Sequence, residues 1–501
     1  MQSPSCFLKG VLIWLCCCAA TASSASENNA TRFRCGGQVE AQAWAVWDGG
    51  IRHYVEHDLL QVRLKEQGDV YALYDFQTYV HNLVSMARRC GRISRLRDIS
   101  QLIGVAYGRL EPGGFFSSGR RWVCRGGKIC NNTNRLLNSE VMLDSVQFLG
   151  LASSVANALA TSGKTLTPPD RQFINDTTEI ILEHLQRWGD RHAIREALKA
   201  ADATQADVSA MSSPIFTDKQ LWMIAIYAEL AGILQSQERA ATARKFPRLR
   251  EHLAALLHLF DKRVSIRSVG GKRKGEVKVA DIDRGFWRLH PDNRYAGYEG
   301  EEKPVKCAPD ASGESGARPT YVIPPSAATR RSDTGWDLSH ARRLVHALDA
   351  LSRNRKAMQS VFTIADRDMP RADLPRFFAN NIVDVMWNKD GGTPLFSNFW
   401  SGANGWFRVA YDNGTGECDE GSPPYGMSDS FATGGYVSWA VYRHEIGEFG
   451  KELYALMNDA EGVPPAVVVR HYSALVNRGD EAAWMRTRIA FLPGLVGVGI
   501  D

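Results

Sequence analysis

Beyond residue 26 the chain has no apolar run long enough to cross a bilayer as a helix, which excludes a helical membrane anchor in the body of the protein. It has little net charge: 60 Lys and Arg against 55 Asp and Glu leave +5 over 501 residues. No basic run interleaved with aromatics is present, so nothing points to a nucleic-acid groove. The triplet Lys272-Arg-Lys274 sits among glycines and reads as a hairpin tip. There is no Cys-x-x-Cys pair of the kind that structural zinc sites use. The spacing His53-x-x-x-His57 stands alone and reads as ordinary packed or surface histidines, so no metal is expected. No Gly-x-Ser-x-Gly elbow, Walker loop or Gly-x-Gly-x-x-Gly fingerprint occurs in a strand-to-helix context. Serine hydrolases, nucleotide enzymes and dinucleotide oxidoreductases are thereby disfavoured, and no cofactor is expected.

What is present begins with an export signal. Lys9 precedes the apolar stretch Gly10 to Ala20, and the small residues Ala22 to Ser26 follow as a cleavage site needs. Residues 1–26 are therefore expected to be removed, placing the mature protein in the periplasm or outside the cell. The run Cys16-Cys-Cys18 lacks the small residues before it that a lipoprotein site favours, so lipidation is the lesser alternative. Six cysteines then remain: Cys35, Cys90, Cys124, Cys130, Cys307 and Cys418. An even number in an exported chain suggests disulfides, and Cys124 and Cys130 flank a loop short enough for one to close. Four Asn-x-Ser/Thr sequons, at Asn29, Asn131, Asn175 and Asn413, matter only in a host that glycosylates exported proteins.

The periodicity is mostly that of helices. Val70, Leu73, Phe76, Val80, Leu83 and Met86 keep a spacing near 3.6. Comparable patterns cover 136–160, 173–188, 219–235, 249–260, 336–354 and 374–387, and further helices start near 433, 446, 464 and 480. One segment differs: apolar and polar residues alternate on both sides of a Gly-rich turn over 263–283, the signature of a β-hairpin. Residues 308–332 form a long irregular connection rich in Gly, Pro and Ser. Ten to twelve helical segments in pairs, joined by loops heavy in Trp, Tyr, Asn and Asp, predict an all-α barrel or solenoid.

The chemistry concentrates after that connection. Asp333 to Arg343 holds two carboxylates, an indole, a hydroxyl, a histidine and two guanidinium groups, at a helix start where an acid meets the positive dipole end. Asp337 and His340 are three apart and share a face. Aromatic and polar residues also mix around Trp44 to Tyr54, Gly285 to Tyr298 and Trp400 to Asp412. Sugar rings stack their C–H faces on indoles, and their hydroxyls need polar partners, so such mixtures suit carbohydrate. Core packing is the plainer role for any one tryptophan, and a solvated helix face the plainer role for Glu140 and Asp144.

The sequence resembles the exported (α/α) toroid enzymes that cleave or modify polysaccharides, the six-hairpin glycosidases and the toroid lyases. The resemblance rests on the paired helices, on Trp336-Asp337-Leu-Ser-His340, and on Asn404-Gly-Trp406 before Ser428 to Tyr436. It implies one (α/α) toroid domain over residues 27–501, with the hairpin 263–283 and the connection 308–332 as insertions.

The expected activity is hydrolysis of a polysaccharide or oligosaccharide by two carboxylates, Asp337 and, as second, Asp48. Asp75, Glu140, Asp144 and Glu229 are other possible partners. Trp44, Trp336, Trp400 and Trp406 would be sugar platforms, and Arg342, Asn404 and Arg408 would bind hydroxyls or carboxylates. The alternative chemistry is elimination from a uronate-containing glycan, with His340 and Tyr411 as proton-transfer groups and Arg342, Asn404 and Arg408 as neutralisers. A helical scaffold that binds glycan or protein without catalysis is the third expectation.

Overall fold

A computed structural model describes residues 29–113, 119–131, 135–204, 207, 216–270, 275–287, 308–309, 321–322, 333–408, 421–458 and 465–500. Residues 1–26, the hairpin tip at Lys272–Lys274, most of the 308–332 connection, Cys307, Cys418 and Tyr411 lie outside the described residues.

The protein is mostly helical. Helix α1 (Gln38–Val46) runs on in π-type turns through Trp47–Ile51 and Tyr54–Glu66. Then come α2 (Tyr71–Arg89), α3 (Ile93–Tyr107), α4 (Met142–Ala160), α5 (Pro168–Trp188) and α6 (Arg191–Asp202). Helices α7 (Asp218–Ser236), α8 (Ala240–Arg244) and α9 (Pro247–Arg263) lead into the hairpin. Beyond it lie α10 (Leu338–Ala341), α11 (Arg343–Phe362), α12 (Leu374–Asn381) and α13 (Asp429–Thr433). The chain ends in α14 (His444–Asn458), α15 (Ala466–His471), α16 (Ser473–Val476) and α17 (Glu481–Leu495).

Two kinds of helix explain the layering. Helices α4 and α7 are apolar on every face and buried nearly throughout. A helix of that composition lies inside, because no face of it gains from contact with water. Helix α6 instead buries only Ala197, Ala200 and Ala201 and turns its charges outward. The inner helices neighbour one another: α2 packs on α4, α4 on α7 and α7 on α11. Helix α17 packs on α2, and the 3-10 turn Tyr436–Val441 touches both α11 and α17. Helices α3, α5 and α9 lie against this inner set, and α1 lies against α17. Asp144, expected on a solvated face of α4, is fully buried, as is Gln147 one turn on, because all sides of α4 face protein.

Strand β1 (Val264–Val269) pairs antiparallel with β2 (Val277–Ile282), in register from Val264 opposite Ile282 to Val269 opposite Val277. A two-residue pair, Ala308–Pro309 with Tyr321–Val322, adds little sheet. Disulfides join Cys35 to Cys90 and Cys124 to Cys130. The first ties the chain ahead of α1 to the end of α2, and the second closes the loop foreseen from spacing. Both are compatible with an exported protein. Among the described residues no helix is long and apolar enough to cross a membrane.

Candidate functional site

Four inner helices begin at one place. Tyr71, Tyr74 and Asp75 from the first turns of α2, Leu143 from α4, Thr217, Asp218 and Lys219 from α7, and Ser339, His340 and Arg343 from α10 and α11 line a single cavity of about 420 Å³. Arg63, Ile129, Trp287 and Arg408 complete its wall. The N-terminal ends of long helices carry unsatisfied N–H groups and partial positive charge, so their convergence makes the cavity a place for an anion. The side chains agree: Arg63, Lys219, Arg343 and Arg408 stand against Asp75 and Asp218.

The Trp336–Arg343 stretch is pinned here from both sides. Trp336 N–H donates to the carbonyl of Ile282, at the end of β2, and the Trp336 carbonyl accepts from Trp400 N–H. Leu338 N–H donates to the Asn398 carbonyl, and the Tyr436 hydroxyl donates to the Leu338 carbonyl. Asp337 is the N-cap of α10 and is fully buried. One of its oxygens accepts from the Ser339 and His340 amides, both at 3.0 Å, and from the Ser339 hydroxyl at 2.7 Å. The other accepts from His340 Nδ1 at 2.6 Å. Burial alone would raise its pKa, but the His340 charge and hydrogen bond, the Arg408 charge and the Ser339 hydroxyl together hold it well below the carboxylate range. Asp337 is thus a fixed anion that orients His340, with no free edge for a glycosidic oxygen. His340 faces the cavity, and the Trp287 ring stands edge-on to it at 5.1 Å.

In the same lining, the Tyr74 hydroxyl accepts from Arg343 at 2.9 Å and from Arg342 at 3.2 Å. Burial pushes this phenol's pKa up, yet the two guanidinium charges outweigh it and leave the pKa below the usual tyrosine value. Asp75 behaves in the opposite sense. Burial raises its pKa, only partly countered by its hydrogen bond from Arg63. Beneath Leu143, the Asp144 carboxyl has no hydrogen-bond partner among the described residues. Burial, helped by the charges of Asp69 and Asp75, pushes its pKa well above the carboxylate range.

Of the residues singled out from sequence, the structure brings Asp75, His340, Arg408 and, just behind the wall, Asp337 and Arg342 together. It does not bring Asp48 there. Asp48 lies half-exposed on the turn after α1, held by Arg95 through two bonds of 2.8 Å. The four tryptophans are also a correction. Trp336 and Trp400 are fully buried, and Trp406 and Trp44 nearly so. Trp336 donates its indole N–H to the Phe216 carbonyl, Trp400 to Ala280 and Trp44 to Glu40. A sugar platform needs an open ring face, and these rings are covered by protein on both sides or, for Trp44, capped by Arg95 at 4.7 Å. Asn404 is a turn former, accepting from the amides of Asn398 and Tyr425. Glu140 pairs with Arg187, away from the cavity.

Tyr74 and Lys219 were missed. A signal existed for the first: Tyr71, Tyr74, Asp75 and Thr78 form a second stripe on α2 at helical spacing, opposite the apolar stripe of Leu73, Phe76 and Val80. Among the described residues, Cys35, Glu40 and Cys90 are close enough to share an ion, but both sulfurs are in the disulfide. Compared with protein-family models, with curated proteins and with solved structures, the chain matches none.

Proposed function

We propose that the protein is an exported lyase that cleaves a uronate-containing glycan by elimination. The observation that carries this reading is the Tyr74 phenol held between Arg342 and Arg343, lining with His340 one cavity where four helix N-termini meet. Elimination needs the sugar carboxylate neutralised, the acidified C5 proton removed and the leaving oxygen protonated. A phenol whose anion is stabilised by two guanidinium groups can take the proton. His340, oriented by Asp337, stands ready to give one to the leaving oxygen. The positive helix ends stabilise the charge that builds on the carboxylate as the C5 proton departs.

We further read the inner helices as an (α/α) toroid. The contacts from α2 through α4, α7, α11 and the Tyr436 turn to α17 and back to α2 support a closed ring, with helices α1, α3, α5 and α9 outside it.

A two-carboxylate hydrolase stays as a second reading on one observation. Asp75 lines the cavity with a raised pKa, as a general acid requires, and Asp218 lies in the same wall. One experiment separates the two. The mature protein is given neutral and uronate-containing polysaccharides, and reducing ends and the ultraviolet absorbance of an unsaturated uronate are followed together. Elimination makes both rise in step. Reducing ends without absorbance would overturn the lyase reading in favour of hydrolysis. Silence in both, with retention of a glycan, would leave a binding protein.

A further inference from the structure

We infer that Lys219 is the residue that selects the substrate, admitting a sugar carboxylate and excluding the neutral sugar or ester; the inference rests on the elimination reading above. The cations of this wall differ in how far the protein engages them. Arg63 is committed to Asp69, at 2.9 Å, and to Asp75. Arg343 donates to the Ser339 carbonyl at 2.6 Å and to Tyr74, with Asp218 at 3.6 Å. His340 is committed to Asp337. Lys219 is half-buried in the same wall, and among the described residues no hydrogen bond or ion pair to its ammonium forms.

Its position adds to the imbalance. Lys219 is the second residue of α7, a helix of 19 residues whose start is fixed by a capping box between Thr217 and Gln220. A cation there meets the positive end of the helix dipole, where an acid is favoured. The nearest surplus of negative charge does not compensate. Asp144 feels Lys219, but burial drives its pKa well up, which disfavours the charged form. An ammonium half-buried in a wall it shares with Arg63 and Arg343 gains more from a bound anion than a lysine fully in water does. It acts as a point charge, without the fork by which a guanidinium pairs bidentately with a carboxylate or phosphate, so one carboxylate oxygen suffices.

The test holds ligand without turnover. Full-length Tyr74→Phe protein is titrated in a calorimeter with tetrasaccharides of polymannuronate, of polygalacturonate and of a glucuronate-containing glycosaminoglycan, and with their methyl esters. At least one acid is expected to bind about tenfold to a hundredfold tighter than its ester, the range of one charge-assisted hydrogen bond. Adding Lys219→Gln should abolish that preference, and Lys219→Arg should restore most of it. If the Gln variant melts normally yet still prefers the acid, Lys219 does not select the carboxylate, and the elimination reading stands without it. If Tyr74→Phe protein binds no oligouronate, the elimination reading fails and the role of Lys219 falls with it.

Discussion

The same four inner helices carry two polar clusters, one at the mouth and one deeper down, and the difference between them separates binding from bracing. In the deep cluster Glu229 on α7 accepts from Asn157 on α4 at 2.5 Å, from Asn354 on α11 at 3.1 Å and from Arg353 at 2.5 Å. Arg353 also holds Asp349, which holds Arg88 on α2. Charges are matched and the backbone has closed around them. A Cβ on Gly232 would come within 2.5 Å of the Asn354 and Asn157 side chains. That cluster fastens α2, α4, α7 and α11 to one another. The mouth cluster is built from the same helices and is left unfinished. The phenol of Tyr74 is perturbed by its cations, and a cavity lined by charged groups remains. Where the charges are paired with one another the cluster stabilises the protein, whereas charges around a cavity are placed for a ligand.

The largest expected effect breaks the mouth and spares the deep cluster. Tyr74→Phe keeps the ring and loses only the hydroxyl. Turnover should fall by about 10²–10⁴-fold, the usual contribution of a positioned acid–base group, with the melting temperature nearly unchanged. Unchanged turnover would remove Tyr74 from the chemistry.

The reverse experiment breaks the deep cluster and spares the mouth. Arg353→Met leaves Glu229, only 3% exposed, without its cation. Stranding a buried charge costs about 3–5 kcal/mol, so the denaturant midpoint should drop clearly. The molecules that remain folded should turn over at the original rate. A large loss of rate per folded molecule would mean that the two clusters are coupled.

A pH profile sharpens the contrast. The active form of Tyr74 is the phenolate, so the limb of kcat/KM that reports Tyr74 should rise with pH through the phenol's pKa. The Arg342 and Arg343 charges hold that pKa below the usual tyrosine value, so the limb belongs below the range of a free tyrosine. Arg342→Met removes one of those charges. The neutral phenol is then favoured to higher pH, and the limb should move in the alkaline direction. A limb that stays in place would mean that another group is titrating.

The helices were legible because apolar spacing reports burial directly, but the full burial of α4 was not, since its acid, Asp144, suggested a solvated face. The start of α10 was legible to within a turn. Asp337, read as a first-turn acid, is itself the cap, and its spacing of three to His340 brings the two side chains together. The aromatic loops misled because a sequence does not record which side of a ring is covered. The Asn398–Arg408 segment, dense in rings and amides, proves to be a bolt. Asn398 donates to the carbonyls of Gly405 and Pro423, and Trp400 Nε1 donates to Ala280. The cavity was hidden for another reason. Its wall comes from residues near 63, 74, 143, 219 and 340, and only the packing of four helices with their starts together makes them neighbours.

The smallest expected effect lies outside both clusters. Asp48 and Asp337 look alike in sequence, each a carboxylate at a helical turn near a tryptophan, yet their surroundings differ. Asp337 has no exposure and all its oxygens are engaged by the turn it caps, whereas Asp48 is half in water with Arg95 as its partner. An exposed ion pair contributes about 0–1 kcal/mol, because water screens it and the long arginine loses freedom to form it. Asp48→Asn should therefore shift stability by no more than that, and kcat and KM on the best polysaccharide should stay within experimental error. A hundredfold loss of kcat would place Asp48 in a second cleft on the outside of α1, and the mouth of the inner helices would then be the bracing region rather than the working one.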